Sequence, residues 1–248
     1  MTSGVAGVVL AAGAGTRLRP LTLLRPKALC PVDDVPLVDL AIDRVCTAVG
    51  DVAVNVHHGR DQLEAHLQRR VHLSFEEDRA LGTAGALGHL RSWLDGRGAL
   101  VVNADAWCPG SLLAFVQGWD GERMRLLLAG DDALTPSSRI AAALMPWPAI
   151  ARLPAEPAGL YEASWRDAHA DGRLDVVRHD GPFVDCGTAA QYLEANLTAS
   201  GGESVVGEGA SVAGVLDRCV VWPGAVVWPG ESLTRAIRAG ESTTVLVR

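Results

Sequence analysis

Residues 5–18 read VAGVVLAAGAGTRL. The first six, Val5 to Leu10, form a continuous apolar run, which predicts a strand buried on both faces of a parallel sheet. The small residues that follow, Ala11 to Gly15, predict a loop whose bare backbone amides can approach phosphate oxygens closely. This stretch therefore predicts a strand that delivers an anion-binding loop at its carboxyl end.

Similar apolar runs recur along the chain and alternate with helical patterns. Further strands are predicted at Val52 to Val56, Val71 to Phe75, Leu100 to Val102 and Leu126 to Ala129. Helices are predicted at Leu37 to Ala48, around Leu63 and Leu67, from a Thr83 cap to about Leu94, around Leu112 to Val116, and at about Thr188 to Ala199. The alternation predicts an α/β fold with a doubly wound, mostly parallel, Rossmann-like sheet that binds ligands beyond the carboxyl ends of its strands.

The end of the chain has a different pattern. Val220-Val221-Trp222-Pro223-Gly224-Ala225 is followed directly by Val226-Val227-Trp228-Pro229-Gly230-Glu231. A six-residue period is typical of a β-helix, so a short left-handed β-helix-like segment is predicted. Val206 and Val212, and then Val221, Val227 and Leu233, would form one wall of it. A segment of so few coils cannot bury its own apolar face. We therefore expect it to pack on the rest of the chain or on a second copy in a homo-oligomer.

Ser200-Gly201-Gly202 is interpreted as a hinge, which predicts a first domain over 1–200 and a second over 201–248. The prolines of the segment 134–182 interrupt every periodic pattern. Periodic patterns therefore predict no helix or strand in that segment.

The composition excludes several classes of protein. A net charge of -7 argues against an extended nucleic-acid surface, which needs clustered Lys and Arg. No apolar run reaches the roughly 18 residues of a spanning helix, and the start of the chain lacks a basic targeting region. The five cysteines contain no Cys-x-x-Cys pair and are expected to be reduced thiols in or near the core. We therefore expect a cytoplasmic protein without nucleic-acid or membrane partners.

A dense basic group follows the glycine-rich loop: Arg17, Arg19, Arg25 and Lys27. Lys and Arg together number 22, and Lys27 is the only lysine among them. An ammonium group is a compact charge on a flexible stem, suited to following one phosphate oxygen through a reaction. Lys27 is therefore the leading candidate for a catalytic residue.

Two common nucleotide motifs do not fit the loop. The dinucleotide fingerprint fails because Leu18 occupies the position of its third glycine, and no Gly-Lys-Ser/Thr follows for a Walker loop. A dinucleotide-dependent oxidoreductase is accordingly disfavoured.

The segments 10–22 and 25–29, with Pro20, Thr22, Pro26 and Lys27, resemble the signature of the sugar-1-phosphate nucleotidyltransferases. Three further segments agree in order: 77–87 with Gly82 and Thr83, 102–105 with Asn103 and Asp105, and 184–196 with Asp185. Within the family the chain looks most like mannose-1-phosphate guanylyltransferases and short amino-sugar-1-phosphate uridylyltransferases. The resemblance implies a catalytic first domain that transfers a nucleoside monophosphate from an NTP to a sugar 1-phosphate.

The resemblance also implies roles for residues. Arg17 and the loop, comprising Leu10, Ala11, Ala12, Gly13, Gly15 and Thr16, would hold the triphosphate, and Lys27 would contact the α-phosphate. Asp105 and Asp185 would hold Mg²⁺, a cation that prefers oxygen ligands, with Asn103 beside Asp105 in the same motif. Gly82 and Thr83, together with Ala12 and Gly13, would line the base and ribose. A carboxylate at Glu77 could accept from guanine, so GTP is favoured and UTP comes next, while a solvated position among three consecutive acids is an equal alternative for Glu77.

The sequence departs from the family where the acceptor binds. The family's Glu-Lys-Pro segment grips the sugar-linked phosphate with a lysine, and this chain has no second lysine. Arg152 is the nearest basic candidate, and Gly159 belongs to Ala158-Gly159-Leu160-Tyr161, which looks like a family strand. The departure keeps open an alternative function, a non-catalytic nucleotide-sugar binding or regulatory subunit.

Overall fold

The computed structural model describes residues 4–130 and 133–247, so the outer limits of the expected domains, residues 1 and 248, lie outside it. Two compact units are present. One contains the described residues up to Gly13 with 40–104 and 108–183, and the other contains 14–39, 105–107 and the described residues from Val184 onward. This division differs from the expected boundary at residue 200, because the segments 14–39 and 105–107 group with the carboxyl-terminal part of the chain.

The first unit is built on a seven-stranded sheet. Its strands lie in the order Leu174–His179, Met124–Ala129, Ile140–Met145, Gly98–Asn103, Val5–Leu10, Val52–Val56 and His72–Phe75. All neighbours are parallel except that Ile140–Met145 runs antiparallel to both of its neighbours. The expected mostly parallel α/β sheet is confirmed, and the five strands read from apolar runs are all present.

Helices alternate with these strands. They span Leu37–Cys46, Arg60–Leu67, Gly82–His89, Arg91–Leu94, Leu113–Val116, Trp147–Ile150 and Arg166–Ala170. The prediction that Thr83 caps one continuous helix to Leu94 is wrong. The first helix begins at Gly82, and a second begins at Arg91, after Leu90.

The proline-rich middle contributes the one antiparallel strand of the sheet, Ile140–Met145, which is almost fully buried. The resemblance of residues 158–161 to a strand is not borne out. The backbone N–H of Ala163 donates to the Gly159 carbonyl, which starts a helical segment containing the π-helix Tyr161–Trp165. The helix forms because it buries Leu160 and Trp165 in the apolar core of this unit.

The second unit consists of short elements. Two-residue strands pair antiparallel at Pro31–Val32 with Val35–Pro36, and at Ala106–Trp107 with Val184–Asp185. Helical elements span Thr16–Leu18, Leu21–Leu24, Lys27–Leu29 and Ala189–Ala199. The longest begins after Thr188, whose side chain accepts a hydrogen bond from the backbone N–H of Gln191, as an N-cap does.

The tail forms parallel coils. The strands Val205–Val206, Ser211–Val212 and Val215–Asp217 pair with Val220–Val221, Val226–Val227 and Ser232–Thr234, and Val220–Val221 pairs onward with Ala236–Ala239. The strand Thr243–Leu246 then closes the stack antiparallel. The β-helix-like segment is confirmed.

The expected wall of that segment is only partly buried. Val221, Val227 and Leu233 are buried, whereas Val206 and Val212 are exposed. The exposed pair stacks in register on Val221 and Val227 but lies on the first coil, which has no further coil beyond it within the described chain.

The five cysteines are unpaired thiols, and Cys30, Cys186 and Cys219 are buried as expected. Cys46 is exposed, so the expectation of a core position is wrong for that residue. Among the residues that the structure describes, no helix has the length and apolarity to cross a membrane.

Candidate active site

The expected site residues are divided between the two units. In the second unit, the Lys27 ammonium lies 2.9 Å from Oδ2 of Asp105 and 3.5 Å from Oδ1 of Asp185. The two carboxylates come together because Asp185 pairs with Ala106, the neighbour of Asp105, in the ladder between Ala106–Trp107 and Val184–Asp185. The structure thus brings together three residues that are far apart in sequence.

Burial explains why Lys27 needs both partners. Its side chain is only 8% exposed, and an ammonium removed from water costs several kcal/mol unless anions compensate. The carboxylates themselves are half-exposed, 50% for Asp105 and 37% for Asp185. Their remaining oxygen lone pairs are therefore accessible to a ligand.

These two carboxylates fit a magnesium ion. Within the described residues, no group of three or more His, Cys, Asp or Glu side chains could hold a metal. Mg²⁺ commonly uses only one or two carboxylates and takes its other ligands from waters and substrate phosphates. A pair of accessible carboxylates beside a cation is thus sufficient for this ion and unsuited to a structural zinc site, which needs four protein ligands.

Arg17 lies near Asp185, one of these two carboxylates. A Cβ atom added to Gly187 would meet Nη2 of Arg17 at 2.8 Å and Oδ1 of Asp185 at 3.2 Å. The absence of a side chain at Gly187 therefore lets the guanidinium approach Asp185. Arg17 is itself exposed, as a residue that binds a triphosphate would be.

Gly15 fits the loop to the lysine. Its φ of 59° is in the left-handed region, and a Cβ atom there would lie 2.9 Å from Cβ of Lys27 and 3.0 Å from Cγ2 of Thr22. The Thr22 hydroxyl donates to the Gly15 carbonyl over 2.9 Å. Thr16, the next residue, is exposed at the start of the turn Thr16–Leu18. Only glycine satisfies both the backbone conformation and the close contact.

In the first unit, a buried polar network holds the start of the loop. The backbone N–H of Ala11 donates to Oδ1 of Asn55 over 2.8 Å, and Nδ2 of Asn55 donates to Oε1 of Glu76 over 2.7 Å. The other oxygen of Glu76 accepts from the backbone N–H of Leu81 over 2.7 Å. The chain of bonds links the end of the strand Val5–Leu10 to the turn before Gly82.

Sequence reasoning missed both side chains of this network. Asn55 and Glu76 are 3% and 4% exposed. The available signal was Asn55 itself, a polar residue inside the apolar strand Val52–Val56, because buried amides are kept where they have partners.

The turn at Gly82 and Thr83 is tied to the segment around Ala158. Gly82 has a φ of 68°, and a Cβ atom there would lie 2.7 Å from the Ala158 carbonyl oxygen. The Thr83 hydroxyl accepts from the backbone N–H of Leu160 over 2.8 Å, which replaces the capping role expected for it. The turn and the start of the helical segment are therefore fixed together.

A cavity of about 240 Å³ opens beside this turn in the first unit. Four expected site residues line it together: Leu10, Thr83, Asn103 and Gly159. Tyr161, Glu162 and Trp165 form another part of its wall. Within the loop that follows Leu10, Ala12 is buried and Gly13 is exposed.

Two expected site residues lie elsewhere. Glu77 is exposed and pairs with Arg60, Oε2 to Nη1, over 2.7 Å. Arg152 is exposed and lines a different cavity, of about 460 Å³, with Arg123 and Arg173. The structure does not bring Arg152 together with Gly159.

Cys186 lies next to Asp185, and burial raises the pKa of its thiol to about 12 despite the nearby Lys27 ammonium. A thiol with this pKa stays protonated and neutral at physiological pH. Cys186 is therefore a packing residue, as expected, and is unsuited as a thiolate nucleophile.

The architecture belongs to the α/β proteins that bind ligands beyond the carboxyl ends of their strands. A family model described as nucleotidyl transferase matches residues 6–126. Over these residues the chain is similar to the nucleotidyl transferase family, and the resemblance inferred from the sequence is confirmed.

Two curated relatives illustrate the similarity. N-acetylmuramate alpha-1-phosphate uridylyltransferase of Caulobacter vibrioides is 40% identical over 134 residues, which cover 49% of this chain and 55% of the relative. Mannose-1-phosphate guanylyltransferase of Mycobacterium tuberculosis is 32% identical over 110 residues, covering 42% of this chain and 31% of the relative. The matched part of the chain thus spans 55% of the first relative and less of the second.

A solved structure has the same fold. A Bacillus anthracis protein described as a candidate glucose-1-phosphate thymidylyltransferase, in complex with a sucrose, matches with a TM-score of 0.68. The match covers 79% of this chain and 95% of the other at 18% identity, so it shows the fold alone.

Proposed function

We propose that the protein is an enzyme that transfers a nucleoside monophosphate from an NTP to a sugar 1-phosphate and releases pyrophosphate. The observation that carries the proposal is the buried Lys27 ammonium between the carboxylates of Asp105 and Asp185. If these residues had only a structural role, there would be no reason to bury the chain's only lysine beside two carboxylates that remain accessible. The family match over residues 6–126 supports the same class of reaction.

The chemistry needs no general base. A phosphate oxygen of the sugar 1-phosphate is already anionic and attacks the α-phosphorus of the NTP in line. One P–O bond forms, the bond from the α-phosphorus to the bridging oxygen breaks, and pyrophosphate leaves with that electron pair. Positioning and charge neutralisation therefore supply most of the rate enhancement.

The residues of the second unit suit that task. Lys27 would neutralise charge on the α-phosphate oxygens as the transition state forms, and Arg17 would hold the triphosphate. Asp105 and Asp185 would hold Mg²⁺, which when bound supplies positive charge to the phosphates. Gly15 keeps the loop close enough to Lys27 for both to act on one substrate.

For the nucleotide, we favour UTP over GTP. The sequence-based preference for guanine depends on Glu77, but that carboxylate is paired with Arg60 at the surface. The relative with 40% identity carries the name of a uridylyltransferase. GTP remains the second candidate, supported by the mannose-1-phosphate guanylyltransferases among the relatives.

For the acceptor, the cavity beside Asn103 is the candidate sugar site. Its wall contains apolar side chains of Leu10, Ile140 and Trp165 beside the polar groups of Thr83 and Asn103. An amino sugar with an acyl substituent offers both kinds of surface, which makes N-acetylmuramate 1-phosphate the first acceptor to test. The name of the Caulobacter vibrioides relative points to the same compound.

A non-catalytic nucleotide-sugar binding or regulatory subunit is the second candidate. Two observations favour it: the chain has no second lysine to bind the acceptor, and Arg152 lines a separate cavity. A cytoplasmic location and a homo-oligomer through the tail also remain part of the proposal.

The test is a substrate panel. The protein is incubated with Mg²⁺, each of the four NTPs, and N-acetylmuramate, mannose or glucose 1-phosphate, and pyrophosphate release is measured. We expect turnover with UTP and N-acetylmuramate 1-phosphate above every other combination. Turnover only with GTP and mannose 1-phosphate would reverse the proposed specificity, and binding without turnover in any combination would favour the regulatory subunit.

A further inference from the structure

The two tandem six-residue units of the tail place their tryptophans in different environments. Trp222, in the first six-residue repeat, is 1% exposed, and Trp228, in the second repeat, is 52% exposed. Both follow two valines and precede Pro-Gly. The sequence repeat alone does not explain why one ring is buried.

Trp222 is buried against two residues from outside the tail. Its indole Nε1 donates to the Tyr192 hydroxyl over 2.9 Å, and that hydroxyl donates to the Pro31 carbonyl. In addition, Cζ of Arg25 lies 4.5 Å from the centroid of the indole ring, in a cation–π geometry.

These contacts flank the lysine. Arg25 precedes Lys27 by two residues, and Pro31 follows it by four. Between them, Lys27–Leu29 is a single turn, held by bonds from the Leu29 N–H to the Pro26 carbonyl and from the Cys30 N–H to the Lys27 carbonyl. Because a turn this short has little stability of its own, its position depends on the contacts that hold its two ends.

Further hydrogen bonds hold the chain on the carboxyl-terminal side of the turn Lys27–Leu29. The backbone N–H of Asp33 donates to Oδ1 of Asn196 over 3.1 Å, and Oδ2 of Asp34 accepts from the backbone N–H of Glu208 over 2.9 Å. The helix Ala189–Ala199 and the first coil of the tail thus contact the hairpin that follows Lys27.

We propose that Trp222 is a positioning residue: the tail holds Lys27 between Asp105 and Asp185 by fixing Arg25 and, through Tyr192, Pro31. The role in catalysis rests on the proposed function, whereas the effect on Lys27 itself does not. The tail would then contribute to the reaction through the position of Lys27.

The chain offers a direct measurement of this effect, because Lys27 is its only lysine. The rate at which an N-hydroxysuccinimide ester acylates Lys27 reports the accessibility of its amine, and peptide mass spectrometry separates that product from any α-amino product. In this reaction the N–C bond forms, N-hydroxysuccinimide leaves, and the amine proton goes to buffer. The readout requires no enzymatic activity.

Trp222→Leu and Trp228→Leu form a matched pair, since each removes a ring from the same local sequence. We expect Trp222→Leu to raise the Lys27 acylation rate by about tenfold, equivalent to ~1.4 kcal/mol, and Trp228→Leu to leave it unchanged. If the enzyme turns over, Trp222→Leu should lower kcat by a similar factor with little change in the KM for NTP, because Lys27 acts mainly in the transition state. Trp222→Phe, which keeps a ring under Arg25 but loses the N–H, should recover part of both effects.

Equal acylation rates in Trp222→Leu and the unmodified protein, with both folded by circular dichroism, would overturn the proposal. So would equal increases in both Leu variants, since that would show general loosening. Should Trp222→Leu not fold, Arg25→Gln tests the same contact from the other side, and an unchanged Lys27 rate there is equally fatal. A tenfold change in acylation without turnover in the unmodified protein would support the positioning role and reject the proposed function.

Discussion

At the residue scale, two glycines of the candidate site leave room for neighbouring side chains because they have no side chain of their own. Gly15 has a left-handed backbone and touches Lys27 and Thr22, and Gly187 leaves room for Arg17. At Gly13, in the same loop as Gly15, a Cβ atom would have no described atom within 4 Å, and φ lies outside the left-handed region. The three positions are therefore expected to respond differently to the same change.

We predict that Gly15→Ala lowers the free energy of unfolding by about 1–3 kcal/mol, the usual cost of a non-glycine residue held in a left-handed conformation. Gly13→Ala is the control and should change it by less than about 0.5 kcal/mol, as substitutions that touch nothing do. Urea denaturation of both variants measures the difference. Equal stabilities would show that the loop does not pack on Lys27 as described.

Gly187→Ala should act on binding instead of stability. The atom it meets is the end of the flexible Arg17 side chain, which can move away from Asp185. Loss of one charged contact to phosphate should raise the KM for NTP by about tenfold. In a variant that already carries Arg17→Ala, Gly187→Ala should cause no further increase in the KM for NTP. Additive increases in KM, measured by steady-state kinetics, would refute the link between the two residues.

At the element scale, the Asn55–Glu76 network joins two strands and a turn. Glu76→Gln places an amide donor against either Asn55 or the Leu81 N–H, which leaves a buried group unsatisfied. We predict a loss of about 1–3 kcal/mol in unfolding free energy. Glu77→Gln is the matched control, because its exposed pair with Arg60 is worth about 0–1 kcal/mol. The prediction fails if thermal denaturation shows equal losses for the two neighbours.

Two buried thiols make the stability of the protein depend on pH: Cys30, which follows the turn Lys27–Leu29, and Cys186, which follows the strand Val184–Asp185. Burial raises the pKa of Cys30 and of Cys186 from 9.0 to about 12, and burial raises the pKa of Tyr192 well above 10.0. All three groups are neutral when buried and ionise more readily in the unfolded chain. Their stabilising contribution is therefore complete below pH 9 and is lost as pH rises toward 12.

We predict that the free energy of unfolding falls above pH 9 by at most about 1.4 kcal/mol per pH unit for each of these groups. Urea denaturation at pH 8 and pH 10 measures the decline, and Cys186→Ala should reduce its slope. A stability that rises or stays flat over this interval would contradict the burial of the thiols.

The elements also differ in how well the sequence predicts them. Val5–Leu10 and Val52–Val56 can be located to the residue because apolar runs bounded by small or polar residues, the second interrupted only by Asn55, leave few alternatives. Ile140–Met145 cannot be found, since four of its residues are Ala or Leu, which favour helices, and only its place between two sheet strands makes it extended. Val206 and Val212 fit the six-residue spacing, but spacing cannot reveal that their coil is the first of the stack.

The candidate site shows the same limit. Lys27, Asp105 and Asp185 can be selected from residue type and motif, and the structure brings them together. Asn55, Glu76 and Trp222 act through contacts that only the folded chain creates. No motif marks Asn55 or Glu76, and the six-residue repeat that contains Trp222 does not distinguish it from Trp228. Glu77 and Arg152 are candidates by their charge, and charge alone does not say whether a side chain faces a cavity or solvent.

At the scale of the whole molecule, the chain combines a sheet that carries the start of the loop and the cavity beside Asn103 with a small unit that carries Lys27, Asp105 and Asp185. The tail belongs to the second of these by its contacts. Its contribution is therefore expected in turnover as well as in stability, as the Trp222 and Trp228 variants would show.

The most direct test of the account is the turnover of Lys27→Ala with Mg²⁺ and the NTP and sugar 1-phosphate that the panel identifies. We predict a loss of at least roughly 100-fold in kcat, equivalent to about 2.7 kcal/mol, with a circular dichroism spectrum like that of the unmodified protein. A folded Lys27→Ala variant that releases pyrophosphate at a nearly normal rate would contradict the central claim that this buried ammonium acts on the phosphate undergoing transfer.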